Sequence, residues 1–424
     1  MIYDKQWAKD QDETCELRDY RNEFFFPYSG KQDTIYYTGN SLGLQCKGAR
    51  SAVIEHLDKW QTQGVDGHFT DDNQWFKLHE KSKKGFAYLV GAKESEVSVM
   101  NGLTTNLHNL LISFYKPEGK KTKLLIEEKC FPSDAYVAET FLKSLGRDPE
   151  EDLMVLPSDE NGYFDTKKST EFLETHKDEI ALFLLGGINY YTGQRLDVKG
   201  ITKKARELNI VAGWDLAHAA GNVELELHDW GVDFAAWCTY KYLNAGPGAP
   251  SGIFVHENHH NSNLNRLAGW WGYDAKTRFM MEPGFKPMEG ADGWQQSNGP
   301  ALAMCTISKT LDLFLEARKE KIFAKRDKLT SYLEFVLNSI NDKYGEDYFE
   351  LITPNKSSER GSQLSLYCKK DGKAIFDYIY SKGVIGDWRE PNVIRLAPVP
   401  LYNSFLDIYT TGKFIEEYIE QNKK

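Results

Sequence analysis

The middle of the chain alternates between two hydrophobic patterns, and this alternation restricts the fold more than any other feature. Short, nearly unbroken apolar runs occur at 123–127, 153–156, 180–185, 210–214, 234–239 and 252–255. Interleaved with most of them are stretches at 105–115, 133–145, 166–177 and 199–208 whose apolar residues recur at helical spacing. A strand with no polar alternation has both faces covered. Strands separated by helices run parallel, because the helix returns the chain to the start of the next strand. The pattern predicts an α/β layer with a mostly parallel sheet between helices. A helical stretch at 49–63 precedes it. A long amphipathic run from 301 to about 340 follows, with Leu311, Phe314, Leu315, Leu329, Leu333 and Val336 at helical spacing. Strands near 363–367 and 393–396 then suggest a second α+β unit. The expected division is 1–66, an N-terminal segment packing on both domains; 67–300, a large ligand-binding domain; and 301–424, a small C-terminal domain opened by a long linking helix.

Composition removes several functions. Hydrophobic residues make up 41% of the chain and aromatics 13%, enough for a sizeable core and too many for a disordered chain. The formal net charge is -10 with no basic block, which argues against nucleic-acid and anionic-membrane partners. The N-terminus lacks an apolar signal core, and the densest apolar run, 180–185, is too short to span a bilayer. The six cysteines are scattered with no Cys-x-x-Cys pair. That leaves no metal or redox motif and suits a reducing, cytoplasmic compartment. A small-molecule partner is the expectation that remains.

Sheets of this kind bind ligands beyond the carboxyl ends of their strands. Lys241 follows the 234–239 run and precedes the turn Asn244-Ala245-Gly246-Pro247-Gly248. Desolvation at such a place favours the neutral amine, the form that attacks a carbonyl carbon. Taken alone, the position reads first as a lysine reaching back to solvent. Asp215 follows the 210–214 run, with His218 three residues on. Alone, Asp215 reads as a helix N-cap and His218 as a satisfied buried histidine. Together at one sheet edge, Lys241 and Asp215 fit pyridoxal phosphate (PLP). The lysine supplies the Schiff-base partner, and the carboxylate keeps the pyridine nitrogen protonated.

A phosphate needs a cradle. Asn101-Gly102-Leu103-Thr104-Thr105-Asn106 opens a predicted helix, where free amides and the Thr104 hydroxyl suit a dianion; an ordinary helix start has the same pattern. Phe131-Pro132-Ser133-Asp134 is a second strand-to-helix turn, whose Phe131 either stacks on a ring or belongs to the core. Arg395 lies in an apolar strand, where a guanidinium takes either a substrate α-carboxylate or a structural ion pair. The run Gly269-Trp270-Trp271-Gly272-Tyr273 suggests a loop pressed on a ligand or a partner chain, or plain packing.

These residues sit in longer motifs that closely resemble the kynureninase family. The segments are Gly39-Asn40-Ser41-Leu42-Gly43-Leu44, Leu103-Thr104-Thr105-Asn106-Leu107-His108, Phe131-Pro132-Ser133-Asp134, Gly213-Trp214-Asp215-Leu216-Ala217-His218, Tyr240-Lys241-Tyr242-Leu243-Asn244 and Arg395-Leu396-Ala397-Pro398-Val399-Pro400. The match is collinear from about Tyr37 to Tyr402. The resemblance implies the PLP-dependent transferase fold of type I. That fold has a mostly parallel, mixed, seven-stranded sheet in a large PLP-binding domain and a smaller C-terminal α+β domain. It also implies a homodimer with shared active sites. By the resemblance, Lys241 holds PLP, Asp215 pairs with the ring nitrogen and His218 lies beside it. Leu103, Thr104, Phe131, Pro132, Ser133 and Asp134 surround the cofactor. Tyr240 contacts the phosphate and serves in proton transfer, while Trp270 and Asn298 reach the cofactor across the dimer. Arg395 anchors the α-carboxylate, with Asn40 and Ser41 near the substrate. His68 and Asn298 fall where animal-type members approach the substrate ring, which favours 3-hydroxykynurenine beside kynurenine.

Two positions depart from the family: Gly186 replaces a common serine, and Gly299 replaces a proline of animal-type members. Other readings fit less well. A cysteine desulfurase needs a nucleophilic cysteine on a flexible loop, and neither Cys305 nor Cys368 has one. A nicotinamide-dependent oxidoreductase needs Gly-x-Gly-x-x-Gly after an early strand, and Gly246-Pro247-Gly248 departs from that pattern.

Overall fold

The computed structural model describes residues 1–27, 34–345 and 348–422. Its centre is a seven-stranded sheet of β1 (Val97–Met100), β2 (Lys123–Glu127), β3 (Leu153–Leu156), β4 (Ile180–Gly186), β5 (Val211–Asp215), β6 (Phe234–Trp237) and β7 (Ser251–Val255). The spatial order is β1-β7-β6-β5-β4-β2-β3. Only β7 runs against its neighbours, so the sheet is mixed and mostly parallel. In β4, Leu182 and Leu184 enter one core layer while Phe183 and Leu185 enter the other. This two-sided burial explains the unbroken apolar run, since strand side chains alternate between faces. Each such fully buried side chain contributes roughly 1.5–3 kcal/mol.

Two expectations about elements need correction, and one strand, β1, was missing from them because Ser98 interrupts its apolar run. The 234–239 strand stops at Trp237, because its partner β7 begins only after Pro250, which has no N–H to continue the ladder. Lys241 therefore sits in a turn beyond the strand. The long run is two helices, α1 (Ala301–Ala317) and α2 (Lys319–Tyr344), broken at Arg318, whose φ is 68°. The Lys319 amide leaves the helical ladder and donates to the Tyr88 hydroxyl at 2.9 Å.

The C-terminal unit carries an antiparallel sheet of β8 (Phe349–Leu351), β9 (Leu364–Cys368), β10 (Asp387–Arg389) and β11 (Val393–Leu396), in the order β8-β9-β11-β10. The N-terminal segment is bound to it. Ile35–Tyr36 pairs in parallel with Val384–Ile385. Ala8 and Tyr37 share a buried cluster with Leu329, Leu333 and Ile394. No helix among the described residues is long and apolar enough to cross a membrane.

Candidate active site

A cavity of about 390 Å³ opens at the carboxyl ends of β2, β4, β5 and β6 and is closed by the C-terminal unit. Lys241, Tyr240, Asp215 and His218 line it from the β5 and β6 turns. Leu103 and Thr104 line it from one helix start, and Phe131, Ser133 and Asp134 from another. Asn40, Ser41 and Arg395 complete the wall. Pro132 is the first residue of the helix Pro132–Ser144, where its fixed φ suits the turn.

The lysine turn is held from outside. The Gly43 N–H donates to the Tyr240 carbonyl at 2.8 Å. A Cβ at residue 43 would overlap the Lys241 carbonyl oxygen and come within 2.8 Å of Asn244 Cα. Gly43→Ala is therefore expected to cost about 1–3 kcal/mol by overpacking. A thermal melt unchanged from wild type would disprove this.

Asp215 does not cap a helix. Its Oδ1 accepts the Ala217 N–H at 2.7 Å, and its carboxyl hydrogen-bonds Asp134. Burial raises both carboxyls; Lys241 draws Asp215 back down, while the Asp215 charge pushes Asp134 higher still. Asp134 is thus pushed up the more strongly of the two, and Asp215 is the one that ionises more readily. His218 is held neutral by burial and by the cations Lys241, Arg395 and Arg389. Phe131 is not core: it is 43% exposed, with its ring centroid 5.8 Å from Lys241 Nζ. The Tyr240 hydroxyl bonds the Cys238 thiol, and burial raises its pKa. Burial likewise pushes the Cys238 thiol up to about 11, which leaves it unionised at neutral pH.

Of its two sequence readings, Arg395 shows the structural ion pair. It is ion-paired with Asp387 and donates from Nη1 to the Tyr190 carbonyl at 2.6 Å. Its Nε, buried in the cavity wall, has no protein partner. Asp134 Oδ1, His218 Nδ1 and Asn40 Oδ1 are also buried and unpartnered. Buried polar groups are rarely left unpaired, so this set describes a polar ligand with complementary donors and acceptors. At one end, the helix Leu103–Phe114 begins without a side-chain cap, and the Thr104 and Ser133 hydroxyls meet at 3.1 Å beside it. That corner suits a phosphate. The residues therefore fit PLP.

Four of the residues singled out in the sequence do not line the cavity: Pro132, which only opens its helix, and Trp270, His68 and Asn298, which lie elsewhere. Trp271 is buried against Phe76, whereas Trp270 is 40% exposed and lies 5.4 Å from the exposed Phe279. The His68 ring lies 5.3 Å from Phe76 in the same aromatic patch, and Asn298 is exposed. Conversely, Glu127, Tyr190 and Arg389 line the cavity and were not foreseen. Glu127 ends an apolar strand as Asp215 does, and the same rule applied to β2 points to it. A larger open groove of about 880 Å³ runs past residues 159–166, 194–199 and 351–359. Its polar groups serve structure: Asp165 and Asp197 cap helices, and Gln194 bonds the Phe164 backbone from both ends of its amide.

Comparison with known proteins agrees with this layout. Residues 39–343 match the class-V aminotransferase family model. The fold resembles a C-DES variant with glycine linked to its PLP cofactor, at TM-score 0.76 and 16% identity over 93% of this chain and 99% of that one. It also resembles the cysteine desulfurase of Thermococcus onnurineus, at TM-score 0.75 and 14% identity over 97% and 98%. The protein thus has the class-V, PLP-dependent fold. Residues 322–415 further match the kynureninase C-terminal domain. The chain is 48% identical to the kynureninase of Flavobacterium psychrophilum over 98% of both chains. It is 45% identical to that of Xanthomonas campestris pv. campestris over 95% of both. The chain belongs to the kynureninase family.

Proposed function

We propose that the protein hydrolyses the Cβ–Cγ bond of L-kynurenine, 3-hydroxy-L-kynurenine or both. The products are anthranilate or 3-hydroxyanthranilate together with L-alanine, in tryptophan catabolism or NAD biosynthesis. The convergence of Lys241, Asp215 and Arg395 on one cavity, in a chain of this family, carries the reading. When bound, PLP supplies an aldehyde carbon for the substrate nitrogen and an electron-accepting ring. Asp215 would face the ring nitrogen and hold a proton there. Thr104, Ser133 and the adjacent helix start take the phosphate, with Leu103, Phe131 and Pro132 beside it. Arg395 fixes the α-carboxylate through its planar fork. Asn40 and Ser41 lie on the substrate side. The Lys241 amine removes the α-proton. The Tyr240 hydroxyl moves a proton on and off the γ-oxygen. Overall, water gives its oxygen to the γ-carbon and hydrogen to the β-carbon. A side-by-side assay on the two substrates, following anthranilate fluorescence and alanine release, tests this; release from neither overturns it.

The protein acts as a homodimer with shared sites. Phe69, Phe76, Trp270 and Phe279 form a continuous aromatic patch with ring centroids 4.8–6.3 Å apart, continued by Met280 and Met281, which are 67% and 69% exposed. Exposed apolar patches of this kind mark interfaces. A second copy seated there brings Trp270, Asn298 and His68 to the neighbouring cavity. Phe279→Glu is expected to give a monomer in sedimentation and to lose turnover; a fully active monomer contradicts the arrangement. The six unpaired cysteines suit a cytoplasmic location.

A further inference from the structure

None of the roles above uses the Glu127 carboxyl. Glu127 ends β2, is 4% exposed and lines the cavity. Its Oε2 accepts the Gly186 N–H at 3.0 Å. Its Oε1 occupies the space that a side chain at 186 would need: a Cβ there would come within 2.8 Å of it. β2, β4 and β5 are adjacent, and Gly186 is the register partner of Asp215. Glu127 thus reaches across the bare end of β4 toward the strand end that carries Asp215.

We propose that Glu127, seated in the gap left by Gly186, is a positioning residue that holds a proton beside Asp215 and, by its own ionisation, sets how strongly the ring nitrogen is protonated. This rests on the PLP reading above. The groups around it come from several elements. Cys130 and Asp134 lie in the turn and helix after β2, and Asp215 ends β5. Across the cavity stand His218, Lys241, Arg389 and Arg395. Burial pushes the Glu127 carboxyl up to about 7; the Gly186 N–H opposes this, and the Asp215 charge adds to it. Below that pH Glu127 is a neutral acid, and Asp215 is the more readily ionised of its pair with Asp134. Above it, a second negative charge stands beside Asp215, and nearby negative charge strengthens proton binding at a ring nitrogen.

The test is a pH titration of the visible absorption of the PLP-loaded protein, in wild type, Glu127→Gln and Gly186→Ser. Wild type is expected to show a step with its midpoint near 7. Glu127→Gln, of similar shape but uncharged, is expected to lose that step. Gly186→Ser, which must displace Oε1, is expected to move it by about one unit, the ordinary size of an environmental shift. A wild-type midpoint retained in Glu127→Gln overturns the proposal. So does its retention in Gly186→Ser if the glutamine variant does not fold. The infrared carboxylic-acid band of the cofactor-free protein supplies a separate readout. It is expected to lose intensity between wild type and Glu127→Gln at pH below the step, and an unchanged band also overturns the proposal. A wild-type protein that binds no PLP refutes the cofactor reading, while the infrared comparison still decides whether Glu127 holds a proton.

Discussion

Replacing Lys241 with alanine is expected to lower turnover roughly 10⁴-fold or more while leaving the fold intact. In the proposed mechanism the lysine is both the attachment point of the cofactor and the base at the α-carbon, and loss of a positioned base alone costs about 10²–10⁴. The fold survives because nothing structural depends on the amine. Its side chain makes no hydrogen bond or ion pair among the described residues, and its nearest ring, Phe131, is 5.8 Å away. The substitution breaks no side-chain bond but removes the cation that draws the buried Asp215 down, so the melting curve is expected to shift by about 0.5–3 kcal/mol without loss of the fold. Steady-state turnover and a thermal melt on the same preparation check both halves. Near-normal activity would sink the assignment of this cavity as the reacting site.

The second large effect is at Arg395. Arg395→Lys keeps the positive charge near Asp387 but loses the planar fork that meets a carboxylate with two parallel bonds. A hydrogen bond to a charged group contributes about 1.5–3 kcal/mol, so KM is expected to rise about 10- to 100-fold, with a smaller change in kcat. Arg395→Ala is a poorer test. It removes a buried guanidinium from Asp387 and leaves that carboxylate only Arg389, at 3.2 Å, so a loss of stability is mixed with the loss of binding. An unchanged KM for Arg395→Lys would mean that the α-carboxylate is bound elsewhere in the cavity, with Arg389 the nearest other cation on that wall.

Much of this site was legible because it obeys a positional rule. Asp215 ends a strand and Lys241 lies just past the end of another, and apolar runs such as that of β4 reveal strand ends directly. What stayed hidden depends on contacts between distant segments. Glu127 has the same placement, yet the seat of its side chain depends on Gly186, 59 positions away, having no side chain. Phe131 is exposed to the cavity rather than buried, which its own sequence neighbourhood does not encode. The break at Arg318 follows from a tertiary bond to Tyr88, against a helical pattern that runs straight through. Trp270, Asn298 and His68 were singled out by family resemblance, and a single chain keeps them away from its own cavity.

The segment around Gly43 links the two halves of the cavity. Ile35 and Tyr37 donate to the carbonyls of Gly383 and Ile385, and Ala397, two residues from Arg395, donates back to the Tyr37 carbonyl. Six residues past Tyr37, the same strand of backbone is wedged under the lysine turn through the Gly43 bond to Tyr240. One short peptide therefore spans from the strand that carries Arg395 to the turn that carries Lys241. The separation of those two residues is gauged by this backbone, as by a fixed-length spacer.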